Sequence, residues 1–409
     1  MRRLAVLSMH TSPLAQPGTG DGGGMNVYVR QLASALARRG VECDVYTRAW
    51  SPAQAAVVAV EPGLRVHHIG AGPLEQVRKE DLPGLVGEFT DGVLARLLGD
   101  HPADAIHANY WLSGLAGHAL KHDLDLPLVS TFHTLARVKA DGEVGSAHRA
   151  QAEGDVMACS DAVLASCSVE ASQIARLYDV DTTRIEVVPP GVDHAFFSPG
   201  HGPQARRALG LPAGPMLLFV GRIQALKGVD VAVGALAALR AGPGSLSSDV
   251  ILVVVGGPSG AGGVAEVARV RRLVAELGLV GRVRFIDPQP HELLSTYYRA
   301  ADVCLVPSRS ESFGLVALEA AACGTPVVAA GVGGLRTLVE HGRTGFLVDD
   351  RDPAAFAAHA VEILKDPERA DRMSRAAAAR ARRYTWSLAA SQVQALCARL
   401  TARSRVACR

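Results

Sequence analysis

The chain has 409 residues, of which 48% are apolar and 20% are charged, and its formal net charge is +2. This length predicts two or three domains with substantial cores. The near-neutral charge argues against a broad electrostatic surface for nucleic acid or anionic lipid.

The chain carries no sequence signal for export or membrane insertion. The N-terminal apolar run Leu4–Leu7 is too short for a signal peptide, and no stretch of about 18 uncharged apolar residues predicts a membrane span. Its seven cysteines are widely spaced and form no CxxC pair, so neither a disulfide framework nor a zinc site is expected. We therefore expect a cytoplasmic protein in a reducing compartment.

In the first half, short apolar runs alternate with amphipathic stretches. Leu4–Ser8 predicts a buried strand, Gly18–Gly24 a glycine-rich loop, and Met25–Arg39 a helix that Gly40 ends. Further strands are predicted at Val41–Thr47, Ala105–His107 and Leu128–Phe132. This alternation favours a parallel sheet with helices on both faces.

The pattern restarts in the second half. Strands are predicted at Met216–Val220, Val250–Gly256, Val283–Asp287, Val303–Pro307 and Pro326–Ala329. We therefore predict an α/β protein with two doubly wound domains, at residues 1–198 and 199–385, and a C-terminal helical segment at 386–409. Ligands bind at the carboxyl ends of strands in such sheets, so the site is expected where the two domains face across a cleft.

The glycine-rich stretch Thr19–Val27 follows the first strand and opens a helix. Glycines allow close backbone approach, and a helix N-terminus favours an anion, so a phosphate or diphosphate is the expected ligand. The stretch matches neither GxGxxG nor GxxxxGK[ST], which disfavours a dehydrogenase or a P-loop kinase. A flexible glycine loop is the alternative.

Two further segments follow predicted strands of the second half. Arg222 and Lys227 could hold a diphosphate leaving group, or they could be two surface cations. Glu311 and Glu319 flank Gly314 and suit two separate polar parts of one ligand. Acids favoured by a helix dipole are the alternative, which the apolar neighbours of Glu319 fit poorly.

Three histidines, His10, His107 and His133, also fall at predicted strand ends. A lone histidine is more often structural, but three in equivalent places favour a ligand site.

The spacing of Glu311, Gly314 and Glu319, together with Gly221-Arg222 and Lys227-Gly228, resembles glycosyltransferase family 4, whose members have the GT-B fold of two Rossmann-like domains. The resemblance covers essentially the whole chain. It implies an enzyme, a retaining glycosyltransferase.

Within that family, the N-terminal half closely resembles the D-inositol 3-phosphate glycosyltransferases. The resemblance rests on Met9–Leu14, Gln16–Asp21, Gly23–Tyr28 and Tyr110–Gly114. It implies transfer of N-acetylglucosamine from UDP-N-acetylglucosamine to 1D-myo-inositol 3-phosphate, the first step of mycothiol biosynthesis. It also implies a homodimer, and a C-terminal helix, within residues 386–409, that packs back across the N-terminal domain.

The resemblance assigns the donor site. Arg222 and Lys227 would bind the diphosphate, Glu319 the ribose and Glu311 the sugar, while His133 would face the donor sugar. The implied catalytic residues are His133, Arg222, Lys227 and Glu311. The implied donor-binding residues are Gln16, Pro17, Gly24, Arg222, Lys227, Gln289, Glu311 and Glu319.

The resemblance also assigns the acceptor site, with a phosphate clamp of Lys79, Tyr110, Thr134 and Arg149. The implied acceptor-binding residues are His10, Asp21, Gly22, Gly23, Gly24, Met25, Asn26, Lys79, Tyr110, Thr134 and Arg149. The stretch from Lys139 to Arg149 is several residues shorter than the family's. Arg149 is therefore placed by its distance from Glu153 and Asp161.

The implied chemistry needs no cofactor. Apart from Asp21, the N-terminal half offers no carboxylate suited to attack the sugar from its other face, so no covalent intermediate is expected. The resemblance implies a structural magnesium ion, away from the chemistry, held at Tyr298, Arg299, Ala301 and Thr325.

Three alternatives stay open. The chain could be a family 4 enzyme with a different cyclitol, aminocyclitol or sugar-phosphate acceptor. It could be a nucleotide-sugar epimerase of the same two-domain fold. It could be a two-lobed binding protein without turnover, which the lack of an export signal disfavours. No nucleic acid partner and no stable membrane anchor are expected.

Overall fold

The computed structural model describes residues 1–20, 22–99, 101–138, 146–241, 249–260 and 262–407. The chain divides into two units. The first comprises Met1–Ala15, Met25–Gly191 and Trp386–Arg409, and the second comprises Gln16–Gly24 and Val192–Thr385.

The first unit is built on an eight-stranded sheet in the order β3-β4-β2-β1-β5-β6-β7-β8. Its strands are β1 Arg3–Leu7, β2 Glu42–Arg48, β3 Val57–Glu61, β4 Leu64–Ile69, β5 Ala105–Asn109, β6 Leu128–Thr131, β7 Ala162–Ala165 and β8 Ile185–Val187. Its first five helices are α1 Gly24–Ala37, α2 Val86–Leu98, α3 Trp111–Leu124, α4 Ser146–Cys159 and α5 Ser168–Tyr178. Neighbouring strands pair in parallel except β3, which is antiparallel to β4.

The second unit is built on a six-stranded parallel sheet in the order β11-β10-β9-β12-β13-β14. Its strands are β9 Met216–Val220, β10 Ile251–Val255, β11 Val283–Ile286, β12 Val303–Val306, β13 Val327–Ala330 and β14 Gly345–Val348. Its helices are α6 Gly202–Ala208, α7 Val229–Ala241, α8 Gly263–Glu276, α9 Leu294–Ala300, α10 Leu315–Ala322, α11 Leu335–Leu338, α12 Pro353–Lys365 and α13 Pro367–Ala381.

All of the strands predicted from apolar runs are present. Each begins and ends within two residues of its predicted bounds. In β1 and β10, nearly every side chain is buried, as expected of parallel strands covered by helices on both faces. The short or polar strands β3, β4, β7, β8 and β14 were not predicted. β4 contains Arg65, His67 and His68, and these polar residues interrupt the apolar run by which the other strands are predicted.

The unit limits differ from the predicted domains at two places. The glycine-rich segment Gln16–Gly24 groups with the second unit, where Gln16 Nε2 donates to the carbonyl oxygen of Pro288 at 2.9 Å. The change from first to second unit falls at Val192, whose N–H donates to the carbonyl oxygen of Tyr384 at 3.2 Å.

The last helix, α14 Trp386–Thr401, belongs to the first unit. The Trp386 ring lies 5.8 Å from the Tyr28 ring of α1. The chain after α14 is held by Val406, whose N–H donates to Asp161 at 2.7 Å and whose carbonyl oxygen accepts from Lys121 at 2.9 Å. The backbone of Val406 is thus anchored by the side chains of Asp161 and Lys121.

Among the cysteines that the structure describes, one differs from the expectation of reduced thiols. Cys159, the last residue of α4, is disulfide-bonded. Free and buried cysteines in the described part of the chain are Cys43, Cys167, Cys304, Cys323 and Cys397. None of the helices that the structure describes is both long and apolar enough to cross a membrane.

A buried charge cluster ties β2 to β4. The Asp44 carboxylate lies 2.7 Å from Arg65 Nε and 2.8 Å from His67 Nε2. Burial opposes the charged form, but the hydrogen bonds from His67 and Arg65 outweigh it and hold the pKa of Asp44 well below its usual range. The charged form of Asp44 therefore stabilises the fold at neutral pH.

We expect Asp44→Asn to lower the free energy of unfolding by about 3 kcal/mol at neutral pH, because it removes one partner of a buried ion pair. The contribution of Asp44 is complete above its unfolded-state pKa of about 3.9 and is lost as the pH falls further. The difference from wild type, measured by urea unfolding, should therefore shrink in acid. The half-exposed Glu42, changed to Gln, is the control and should cost about 1 kcal/mol or less. Equal stability of Asp44→Asn and wild type at neutral pH would contradict this account.

Candidate active site

The glycine-rich segment lies against the loops of the second unit. A Cβ atom added to Gly18 would lie 3.3 Å from Pro288 Cβ, and one added to Gly23 would lie 3.3 Å from Arg222 Nε. Gly18 also has a φ of +88°, which favours glycine. The segment includes the predicted site residues Gln16, Pro17, Gly22, Gly23 and Gly24, whereas Asp21 lies outside the described residues.

The two predicted diphosphate cations follow β9 on one loop. Lys227 Nζ lies 2.6 Å from Glu311 Oε2, so a cation and a carboxylate assigned to neighbouring parts of the donor are in direct contact. Arg222 Nη1 donates to Ser259 Oγ at 3.3 Å. Both members of the Lys227–Glu311 pair are largely buried, so their charges interact more strongly than they would in water.

Glycines hold the loop that carries Glu311. Gly314 has a φ of +102° and directly precedes α10. The Glu311 carbonyl oxygen accepts from the Gly334 N–H at 3.0 Å, and a Cβ atom on Gly333 would lie 1.8 Å from that oxygen. Larger residues at Gly333 would displace this loop, so the loop geometry depends on glycine.

Glu319 is buried on α10, so the interpretation as an exposed helix-dipole acid is excluded. Its Oε1 atom lies 2.7 Å from His291 Nε2, and its Oε2 atom accepts from the Tyr298 hydroxyl at 2.9 Å. Burial lowers the pKa of His291, but the charge and hydrogen bond of Glu319 outweigh it and raise that pKa above its usual value. His291 and Tyr298 thus fix the carboxylate, which keeps lone pairs for a ligand.

Gln289 lies in the loop after β11, where its Nε2 atom donates to the Asp287 carbonyl oxygen at 2.9 Å. His291, two residues further on, is not among the residues predicted from the sequence. Its closeness in the chain to Gln289 is the sequence feature that points to it.

The predicted magnesium residues lie at the end of α9 and before β13. The Thr325 hydroxyl donates to the Tyr298 carbonyl oxygen at 2.6 Å, which also accepts from the Ala301 N–H. Arg299 is cationic and donates to the Ser198 carbonyl oxygen at 2.8 Å. These four residues supply no carboxylate, the ligand that Mg²⁺ usually takes from proteins, so their side chains do not fit the ion well. The magnesium site stays a prediction.

Two strained backbone positions mark the carboxyl ends of β5 and β6 in the first unit. Tyr110, directly after β5, has a φ of +76°, and His133, two residues after β6, has a φ of +62°. Such values are rare for large side chains and cluster at functional sites. The other described non-glycine residues with positive φ are Asp125 and Asp179, which end helices.

Two cations lie close to the Tyr110 ring. The Arg149 guanidinium carbon lies 4.9 Å and Lys79 Nζ 5.3 Å from the ring centroid. Arg149 Nη2 donates to the Thr134 carbonyl oxygen at 2.7 Å and to its hydroxyl at 2.9 Å. The structure therefore brings together the four predicted phosphate-clamp residues, with Arg149 oriented by Glu153 at 2.8 Å.

The β1 loop and α1 add further predicted acceptor residues to the first unit. The His10 ring lies 4.4 Å from the Tyr110 ring. Asn26 is buried, and its Nδ2 atom donates to Thr11 Oγ1 at 2.7 Å and to the Ser12 carbonyl oxygen at 2.6 Å. Asn26 thus fixes the conformation of the loop that follows β1. Met25 packs against the hydrophobic core of the first unit, which includes Tyr110.

Asn109 and Tyr28 fix the ring of His133. Its Nε2 atom lies 3.0 Å from Asn109 Oδ1, and its ring meets the Tyr28 ring edge-on at 4.8 Å. The side chain keeps some exposed surface, yet desolvation, with the nearby His107, lowers its pKa to about 3. His133 is therefore a neutral hydrogen-bonding group at physiological pH and not a source of positive charge.

His107 does not share this position. It lies within β5, is buried, and its Nε2 atom lies 2.8 Å from Thr131 Oγ1. It is a core histidine, so the strand-end interpretation is wrong for His107. Asn109, which sequence reasoning missed, occupies the strand end instead.

Comparison with known proteins places both halves in one class. Residues 23–191 match the glycosyl transferase 4-like domain, and residues 203–380 match the glycosyl transferases group 1 family. The chain is 46% identical to D-inositol 3-phosphate glycosyltransferase of Thermomonospora curvata, covering 94% of this chain and 92% of that protein. For the enzyme of that name from Xylanimonas cellulosilytica, the identity is 48%, with 98% and 97% coverage.

The chain belongs to the D-inositol 3-phosphate glycosyltransferase family. It is thus a glycosyltransferase. Its fold is GT-B, as the sucrose-phosphate synthase of Thermosynechococcus elongatus also shows, with a TM-score of 0.90, 34% identity, and coverage of 98% of this chain and 100% of that chain. The predicted GT-B fold and the prediction of a glycosyltransferase are confirmed.

Proposed function

We propose that this glycosyltransferase transfers N-acetylglucosamine from UDP-N-acetylglucosamine to 1D-myo-inositol 3-phosphate with retention, the first step of mycothiol biosynthesis. The acceptor is supported by the name shared by its relatives at 45–48% identity. The observation that carries the proposal is the pair of cations, Arg149 and Lys79, around Tyr110. Two cations and the Thr134 hydroxyl suit an acceptor that bears a phosphate.

In the proposed reaction, the residues of the second unit hold the donor. Arg222 and Lys227 bind the diphosphate and neutralise the charge that develops as it leaves. Glu319 takes the ribose hydroxyls and Glu311 the sugar hydroxyls. The Lys227–Glu311 contact of 2.6 Å supports the idea that diphosphate and sugar groups are bound side by side.

Retention in this proposal needs no covalent intermediate. The acceptor hydroxyl attacks on the face that the diphosphate leaves, and a phosphate oxygen takes the proton. A covalent intermediate would need a nucleophilic carboxylate near the sugar. The neighbours of His133 are Asn109 and Tyr28, which are an amide and a phenol. Glu153, on α4 near Thr134, is already paired with Arg149. The protein's contribution is positioning and charge stabilisation.

We further propose a cytoplasmic location, which fits the five free buried cysteines of the described residues, whereas the disulfide at Cys159 does not support it. The homodimer and the magnesium ion stay predictions that rest on the family resemblance. Light scattering of the purified chain would test the dimer, and a monomeric mass at assay concentration would exclude it.

A donor-by-acceptor screen tests the proposed substrates. UDP-N-acetylglucosamine and UDP-glucose are each assayed with inositol 3-phosphate, free inositol and a hexose phosphate. We expect the highest kcat/KM for UDP-N-acetylglucosamine with inositol 3-phosphate and an α-linked product by proton NMR. If that pair gives no product, the proposed acceptor is wrong. If sugar is transferred to the hexose phosphate instead, the alternative acceptor class is favoured. A β-linked product would exclude retention.

Replacing Lys227 by Ala tests the diphosphate role. Loss of a cation that acts on the leaving group should cost about 2–4 kcal/mol of transition-state stabilisation, or roughly 30- to 1000-fold in kcat/KM. The control is Lys365→Ala, an exposed lysine at the end of α12 in the same unit, which should leave kcat/KM unchanged. Unchanged turnover in Lys227→Ala would rule out this role.

A further inference from the structure

A cluster of nitrogen and sulfur ligands lies on the first unit outside the residues assigned to transfer. His118 and His122 lie four residues apart on α3, and Cys159 ends α4. One ligand atom from each residue lies within 4.8 Å of the other two. Four-residue spacing puts both imidazoles on one helix face, and their ring centroids are 5.2 Å apart. Three ligands from two helices therefore converge on one point.

The surroundings of the cluster tolerate a cation. His122 and Cys159 lie at the C-terminal ends of their helices, where the backbone dipoles favour positive charge. Lys121 is the nearby cation, but Asp161 pairs with it at 3.0 Å, and its Nζ atom also donates to the Cys159 carbonyl oxygen at 2.7 Å.

The ligand chemistry selects the class of metal. Two imidazoles and one thiolate are typical of zinc, whereas magnesium and calcium take oxygen ligands. A water or a fourth residue would complete the tetrahedron that zinc prefers. Because His118 lies seven residues into α3, it is about 10 Å along the helix from Trp111, which follows Tyr110. A metal here would therefore be structural, not catalytic.

Cys159 is disulfide-bonded in this structure, so its sulfur can ligate a metal only after reduction. We propose that the reduced chain binds zinc at His118, His122 and Cys159, and that the disulfide and the zinc site are alternative states of Cys159. A dithiol supplies two electrons and two protons to the disulfide and is itself oxidised to a disulfide. The Cys159 thiol then releases its proton when the thiolate binds Zn²⁺.

Such a site would cross-link the C-terminal ends of α3 and α4. Lys121, between the two histidines, also donates to the carbonyl oxygen of Val406 at 2.9 Å. A metal at this point would therefore stabilise the region where the end of the chain is anchored. No CxxC pair exists in the sequence, which is why sequence reasoning did not find the site.

The test uses the full chain, first stripped of metal and reduced with a phosphine, which does not compete for zinc as dithiols do. Cobalt(II) is the spectroscopic probe, because a thiolate ligand gives a near-ultraviolet charge-transfer band. Zinc content after dialysis is the second readout. The variants are Cys159→Ser, the double change His118→Ala/His122→Ala, and the control His68→Ala, which removes an imidazole from β4 of the same unit.

We expect one bound metal per reduced chain with the thiolate–cobalt band, and no band in the oxidised chain. Both the cysteine variant and the double histidine variant should lose the band, while His68→Ala should keep it. Zinc should raise the melting temperature of the reduced wild type but not that of Cys159→Ser. A missing band in the reduced wild type, or an unchanged band in either ligand variant, would overturn the proposal. Transfer activity is not a readout, so this result is independent of the proposed substrates.

Discussion

The strained backbone at the end of β5 is the constraint on which the first unit's chemistry depends. A positive φ at Tyr110 costs on the order of 1–3 kcal/mol for a large side chain, and packing must hold it in place. In this conformation the ring lies within 5.3 Å of both Arg149 and Lys79, and its centroid is 4.4 Å from that of His10. The neighbouring strain at His133 is likewise supported, by Asn109 and Tyr28. Two adjacent strand ends thus carry a cationic cluster and a neutral imidazole.

The second unit uses paired charges instead of strain. Lys227 Nζ lies 2.6 Å from the partly buried carboxylate of Glu311, and His291 Nε2 lies 2.7 Å from the buried carboxylate of Glu319, which raises the pKa of His291. Pairing offsets the cost of burying these groups, and it keeps them oriented. These groups suit the proposed donor, because cations such as Lys227 bind a diphosphate, and carboxylates such as Glu311 and Glu319 accept hydrogen bonds from sugar hydroxyls.

The sequence allowed both sheets to be predicted where strands are continuous apolar runs, as in β1, β9 and β10. It also allowed Glu319 to be recognised as unusual, because its neighbours are apolar. It did not reveal pairings between residues far apart in the chain. Examples are the 28-residue separation of Glu319 from His291, the grouping of Gln16–Gly24 with the second unit, and the approach of Cys159 to His118. Such contacts depend on tertiary packing, which local patterns do not encode.

The most direct test of the central claim is a comparison of wild type and Arg149→Gln with two acceptors, inositol 3-phosphate and free inositol. A hydrogen bond to a charged group is worth about 1.5–3 kcal/mol, so kcat/KM for the phosphorylated acceptor should fall roughly 10- to 150-fold. The kcat/KM for free inositol should stay within about twofold, since that acceptor has no phosphate for Arg149 to bind. An equal fall for both acceptors would show that Arg149 acts only through its contacts with Glu153 and Thr134, and would contradict the proposed phosphate clamp.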